Sequence, residues 1–217
     1  MTGASYSRRW GAAAMAAAGA SLIVAASAYS GAASPPAPAT ELRDAASFAS
    51  IRDPDARSQA LFTEAAKVIT HPRCMNCHPA TRRPTQGDDM RPHEPPMFAG
   101  ASNKGPAGLA CVSCHSDANV ATFSSGIRTI PGNPHWSLAP ASMAWQGLSM
   151  GDICRQVRDP KRNGGRDLEA IHHHMSEDHL VGWAWHPGDG RVPPPGTQQA
   201  FGQLIRGWID TGAKCPA

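Results

Sequence analysis

Two five-residue stretches constrain this chain more than anything else in it: Cys74-Met75-Asn76-Cys77-His78 and Cys111-Val112-Ser113-Cys114-His115. Both follow the pattern C-x-x-C-H, the attachment signature of a c-type haem. The chemistry needs that order. Two thiols three residues apart reach the two vinyl groups along one porphyrin edge, and the adjacent His turns beneath the ring to ligate iron from the proximal side. The spacing predicts two covalently bound haem c groups, held by Cys74, Cys77, Cys111 and Cys114, with His78 and His115 as proximal iron ligands. A thioredoxin-like redox site would need a βαβ pattern that the flanking sequence lacks. Zinc knuckles built from paired C-x-x-C would leave the His after each pair without a purpose.

The N-terminus bears on the redox compartment. Arg8 and Arg9 precede an uncharged, Ala-dominated run from Gly11 to Ala28, and two small-x-small cleavage options follow, Ala26-Ser27-Ala28 and Gly31-Ala32-Ala33. This is the layout of a secretory signal peptide over 1–33, which predicts export to the periplasm. The alternative is an uncleaved anchor, the one case in which the chain would touch a membrane; the run is only marginally long for a span, and Ala is weakly apolar. Ser7-Arg8-Arg9-Trp10 is close to a twin-arginine signal, but Gly and Ala follow it, so it reads as an ordinary n-region. Export agrees with haem attachment, because cytochrome c assembly and disulfide formation both take place outside the cytoplasm in bacteria. Cys154 and Cys215, the two cysteines outside the motifs, are then expected to form a disulfide. A thiolate haem ligand from either would leave an odd Cys open to oxidation.

The formal net charge is +3 at pH 7 and falls close to neutral once Arg8 and Arg9 are removed. That leaves no compositional case for nucleic-acid binding. Hydrophobic residues make up 41% of the chain but aromatic ones only 6%, beside 21 Gly and 20 Pro. Side-chain volume is short, so something other than protein is expected to fill part of the interior. Residues 34–57, opening on the Pro- and Ala-rich Ser34 to Thr40, read as a flexible N-terminal tether. Residues 58–217 read as one compact domain of dihaem cytochrome c type, mainly α with long irregular loops. Apolar periodicity predicts helices over Ser58–Thr70, Ser149–Arg158, Arg166–Met175 and Thr197–Thr211, the last closed by Gly212. From Pro79 to Leu148 the chain reads mostly as loop, and so long an irregular stretch in a compact domain calls for a ligand to order it.

The remaining iron ligands are less constrained. Each motif is followed by a Pro- and Gly-rich loop that ends in Pro-His, Pro92-His93 after the first and Pro134-His135 after the second. This echo nominates His93 and His135 as distal ligands, with the haem served by each left open. The alternative is a loop His hydrogen-bonded to a propionate. Met90, Met97, Met143 and Met175 are reserves, and Met ligation would raise the potential. His172-His173-His174 with His179 resembles a metal cluster on paper, but consecutive helical residues point about 100° apart, so a solvated helix end with one useful His fits better. Val181 to Trp185 places its two Trp on one side if extended, suited to packing on a haem face. Arg82, Arg83, Arg91 and Arg128 are either propionate partners or surface charges.

The first helix running into CMNCH, with the closing IRGWIDTGAKCP, resembles the terminal helices of many bacterial cytochrome c domains. More narrowly, residues 71–217 resemble the small dihaem proteins labelled isoquinoline 1-oxidoreductase subunits, through stretches such as HPRCMNCHPATRRPTQGDDMRPHEPP, CVSCH, PGNPHWSLAPASMAW and HMSEDHLVGWAWHPG. That resemblance implies electron transfer, as acceptor or subunit for a periplasmic oxidoreductase such as a molybdenum hydroxylase. A second reading is a haem enzyme, peroxidase-like or a small-molecule reductase, with one open iron. A third is a haem-stabilised structural or sensor module. No catalytic residue is assigned.

Overall fold

The computed structural model describes residues 1, 41–123 and 126–217. The chain divides into two units, Met1–Pro36 and Ala37–Ala217, and all that follows concerns the second. Met1 aside, the expected signal peptide and its cleavage options lie outside the described residues.

Helix α1 spans Pro54–Ile69. Asp53 caps it by accepting the Asp55 N–H, and Pro54 occupies the first turn, where no backbone donor is needed. Its buried stripe of Leu61, Phe62, Ala65, Val68 and Ile69 faces α6, Gln198–Asp210, which buries Phe201, Leu204, Ile205 and Trp208. Phe62 and Trp208 meet with ring centroids 5.1 Å apart. Ser58, fully buried, donates to the Trp208 carbonyl and accepts the Lys214 N–H, so the ends of both helices are tied at one hydroxyl. Helix α4, Leu168–Glu177, packs on α6 where Gly202 meets Ser176; a Cβ on Gly202 would lie 2.5 Å from that of Ser176, so only Gly fits.

Helix α3, Met150–Arg158, begins at Ser149, whose side chain accepts the Asp152 N–H. It buries Ile153, Cys154 and Val157, and Cys154 is joined to Cys215 by the expected disulfide. The short α2, Pro72–Met75, follows α1 after a two-residue break, and α5, His179–Gly182, follows α4 almost directly. The loop-rich half holds two antiparallel pairs of two-residue strands, β1 (Thr85–Gln86) with β2 (Arg91–Pro92) and β3 (Val120–Ala121) with β4 (Thr129–Ile130). It also holds single 3₁₀ turns at Cys111–Ser113 and Ala141–Met143. The fold is thus mostly helical, with two minimal sheets. Among the described residues, no helix is long and apolar enough to cross a membrane.

Three expectations are corrected. The segment 34–57 is not tether throughout: Ala45–Ser50 forms a 3₁₀ helix capped by Asp44, its Phe48 is buried against the core, and the Arg43 N–H donates to Glu64. Helix α1 starts at Pro54, because Asp53-Pro54 is a cap and first turn that carry no apolar periodicity. The Val181–Trp185 run is helical, completing α5 and then a 3₁₀ turn over Trp183–Trp185, because Asp178 accepts the Leu180 N–H and restarts a helix directly after α4. Its two indoles therefore part company. Trp183 donates to Asn119 Oδ1, while Trp185 lies by Phe201 and donates to the Pro195 carbonyl.

Candidate functional site

The first motif is built at the end of the helical core. His71 caps α2 by accepting the Arg73 N–H at Nδ1, Pro72 opens the helix, and the turn carries Cys74, Cys77 and His78 onward through bonds from Cys77 N–H to Cys74 O and His78 N–H to Met75 O. The His78 ring is fixed on two sides. Its Nδ1 donates to the Met143 carbonyl at 2.7 Å, and the indole of Trp145 lies parallel to it at 3.5 Å. Nε2 is left as the free lone pair.

This ring lines a cleft with Cys74, Cys77, Arg73, His174 and Met175, which encloses about 1090 Å³ of empty space, its open mouth included. Burial pushes the Cys74 thiol up to about 12, with Cys77 adding to the shift, and burial takes Cys77 to about 11. Both thiols are neutral at pH 7. Burial likewise holds His78 down to about 4; the Met143 carbonyl opposes the shift and the charge of His174 adds to it. An unprotonated imidazole is the form that ligates a metal.

The second motif repeats this arrangement on a weaker frame. Cys111–Ser113 is one 3₁₀ turn with no side-chain cap, held by the Cys111 N–H to Lys104 O. His115 is buried, its Nδ1 donates to the Pro131 carbonyl at 2.7 Å, and Trp136 stacks on it at 4.4 Å with the planes 10° apart. Burial lowers its pKa, the Pro131 carbonyl opposes this, and the charges of His93 and Arg191 lower it further. Cys114 is exposed. One stretch, 131–145, therefore supplies both carbonyls and both indoles, Pro131 and Trp136 to His115, Met143 and Trp145 to His78. Trp183 lines the first cleft and meets Trp136 edge-on, with centroids 4.8 Å apart.

Of the two residues nominated as distal ligands, the structure brings one beside a motif His. The His93 ring stands 5.9 Å from that of His115, and its Nδ1 is hydrogen-bonded to the Pro95 carbonyl. His135 is exposed, and among the described residues its ring has no hydrogen bond or ring contact. The cause lies in Asn133, whose side chain takes the His135 N–H and whose carbonyl takes that of Trp136, a turn that sets Trp136 on His115. In the histidine run, His172 faces Glu169, His173 is exposed beside Glu177, and His174 lines the first cleft with Nδ1 3.1 Å from Asp178 Oδ2. Among the described residues, no three His, Cys, Asp or Glu side chains are grouped to hold a metal by themselves. Met143 and Met175 line the first cleft, whereas Met90 is exposed.

Among the arginines, Arg82 donates to the Gly100 carbonyl and Arg91 pairs with Asp89 on the surface. Two others were invisible to pattern. Arg73 is buried against Asp88 and the Gly87 carbonyl with its Nε unpartnered, and both it and Arg166 line the first cleft. A buried unpaired N–H of a cation at a cleft wall suits an anionic group such as a propionate. The four free thiols, two oriented imidazoles, the cleft and this donor together fit covalent haem. No protein-family model, curated protein or solved structure matches the chain.

Proposed function

We propose that residues 58–217 are a dihaem c-type cytochrome domain, exported to the periplasm, whose task is electron transfer. The observation that carries this reading is the repeated setting of the two motif histidines, each with Nδ1 on a backbone carbonyl and an indole stacked in parallel, so that Nε2 alone is offered. That is the arrangement by which proteins fix the tautomer and orientation of a metal-ligating His.

When bound, haem supplies a one-electron ferric–ferrous couple, at a potential that the protein sets through ligands and burial. Cys74, Cys77, Cys111 and Cys114 hold the two groups, and His78 and His115 orient beneath them. Arg73 and Arg166 accept negative charge at the first cleft. Ile69, Met175 and Phe201 keep water from its wall. The Trp183–Trp136 contact joins the first cleft to the His115 stack, a short path between the two sites. The partner is a redox protein; a molybdenum hydroxylase is the partner that the resemblance to isoquinoline 1-oxidoreductase subunits suggests.

The test is a redox titration of the exported protein. Two electrons per chain, absorbed by haem that resists acid-acetone extraction, are expected. Extractable haem, or a chain that takes up no electrons, refutes the reading.

A further inference from the structure

We propose that the two irons have the axial pairs His78–His174 and His115–His93, so that the distal ligand of the first site comes from helix α4 and not from either Pro-His loop. The inference rests on the dihaem reading above. For the second site the geometry is direct. Two imidazoles that share a metal through their near nitrogens, at about 2 Å each, hold their ring centroids roughly 6 Å apart. His93 and His115 stand at 5.9 Å. Both have Nδ1 on a backbone carbonyl, Pro95 for one and Pro131 for the other, leaving both Nε2 atoms as donors to a metal. The loop that follows the first motif thus serves the second.

At the first site, His78 and His174 line one cleft. His174 repeats the pattern of the other three rings, with its Nδ1 occupied by Asp178 and its Nε2 free. A ring partner that fixes one nitrogen is what metal-ligating histidines have, and it is what His135 lacks. Met175, beside His174 in sequence and also at the cleft, is committed to the apolar core with Ile171 and Phe201. The partners of the distal rings differ in kind. A carboxylate on His174 makes that imidazole the stronger donor, and a carbonyl on His93 the weaker.

The experiment uses the full chain exported with its haems, wild type beside H174A, H93A, H135A and M175A. Intact mass counts haems, and electron paramagnetic resonance with carbon monoxide binding counts open irons. The wild type should have both irons low-spin and bind no carbon monoxide. H174A and H93A should each turn one of two haems high-spin and open to carbon monoxide, and added imidazole should close it again. H135A should match the wild type, and M175A, although it thins the cleft wall, should keep both irons low-spin. Low spin retained in H174A or H93A, an iron opened in H135A or M175A, or an opened iron that imidazole does not close overturns the assignment while leaving the dihaem reading intact. A wild-type mass without haem overturns both.

Discussion

The two C-x-x-C-H stretches share a pattern and little of their surroundings. The first leaves the end of α1, is capped by His71-Pro72, and opens on a cleft whose walls include core residues of α1, α4 and α6. The second is a single 3₁₀ turn, carrying exposed Val112 and preceded by exposed Leu109, in a stretch whose regular elements among the described residues are two-residue strands and three-residue 3₁₀ turns. Yet each His is oriented by the same pair of devices, a carbonyl and an indole, drawn from one shared stretch of loop. What the comparison teaches is that orientation of the ligand is local and repeatable, whereas support for the site is not. The helical half supports the first site by packing; the loop half is held by hydrogen bonds such as those of Arg191 to Thr129 and Pro187.

This asymmetry is best broken at the cysteines, where the largest effect is expected. Replacing Cys74 and Cys77 by Ala empties a cleft walled by the core, so the chain should fail to accumulate as folded protein. Replacing Cys111 and Cys114 by Ala should leave a helical protein with one haem. Far-UV circular dichroism with haem counted per chain measures both, and equal damage from the two pairs would erase the distinction.

Next in size is the disulfide. Removing the Cys154–Cys215 link, with its sequence separation of 61, should cost about 4 kcal/mol on the chain-entropy view. Chemical denaturation of the paired Ala variant gives the value, and a loss below about 1 kcal/mol would mean the core holds its C-terminus without it.

The loop half has its own fastening in Arg191, which donates to the Thr129 carbonyl at 2.6 Å and to that of Pro187. Arg191→Ala should weaken the 116–132 region by about 1–2 kcal/mol, seen as faster amide exchange there with the α1 and α6 amides unchanged. Acceleration in α1 instead would show that the two halves unfold as one.

A further effect concerns pH. Burial, with the Arg73 charge and against that of Asp88, lowers the pKa of His71 from 6.5 to about 4. The unfolded chain therefore binds the extra proton in that window, so the stability tied to a neutral His71 is complete above pH 6.5 and is lost as pH falls toward 4. His71→Asn keeps a cap acceptor without a titrating ring and should flatten the decline measured by denaturation across that range.

Much of the fold was legible because its signals are local. The apolar stripes of α1 and α6 are written in their own residues, and so are the motif spacings. Cys154 with Cys215 followed from an oxidising compartment and the count of cysteines. What was not legible depended on turns that only tertiary structure fixes. The Pro-His echo nominated His93 and His135 as distal ligands; the fold sets the His93 ring 5.9 Å from His115 and leaves His135 exposed, because Asn133 turns the chain one residue further and delivers Trp136. His174 was hidden in a run of three, since the face of α4 that meets the cleft is set by packing on α6. Arg73 gave no pattern at all. Its burial comes from the turn at Gly87 and Asp88, distant in sequence.

Both motifs, despite their unlike supports, are proposed to carry covalent haem. Intact mass of the exported protein, followed by mass of its proteolytic fragments, tests it most directly. A polypeptide plus two haems is expected, with one haem on the fragment containing Cys74 and Cys77 and one on the fragment containing Cys111 and Cys114. A protein with a single haem, or with none and all four motif cysteines as free thiols, would contradict it.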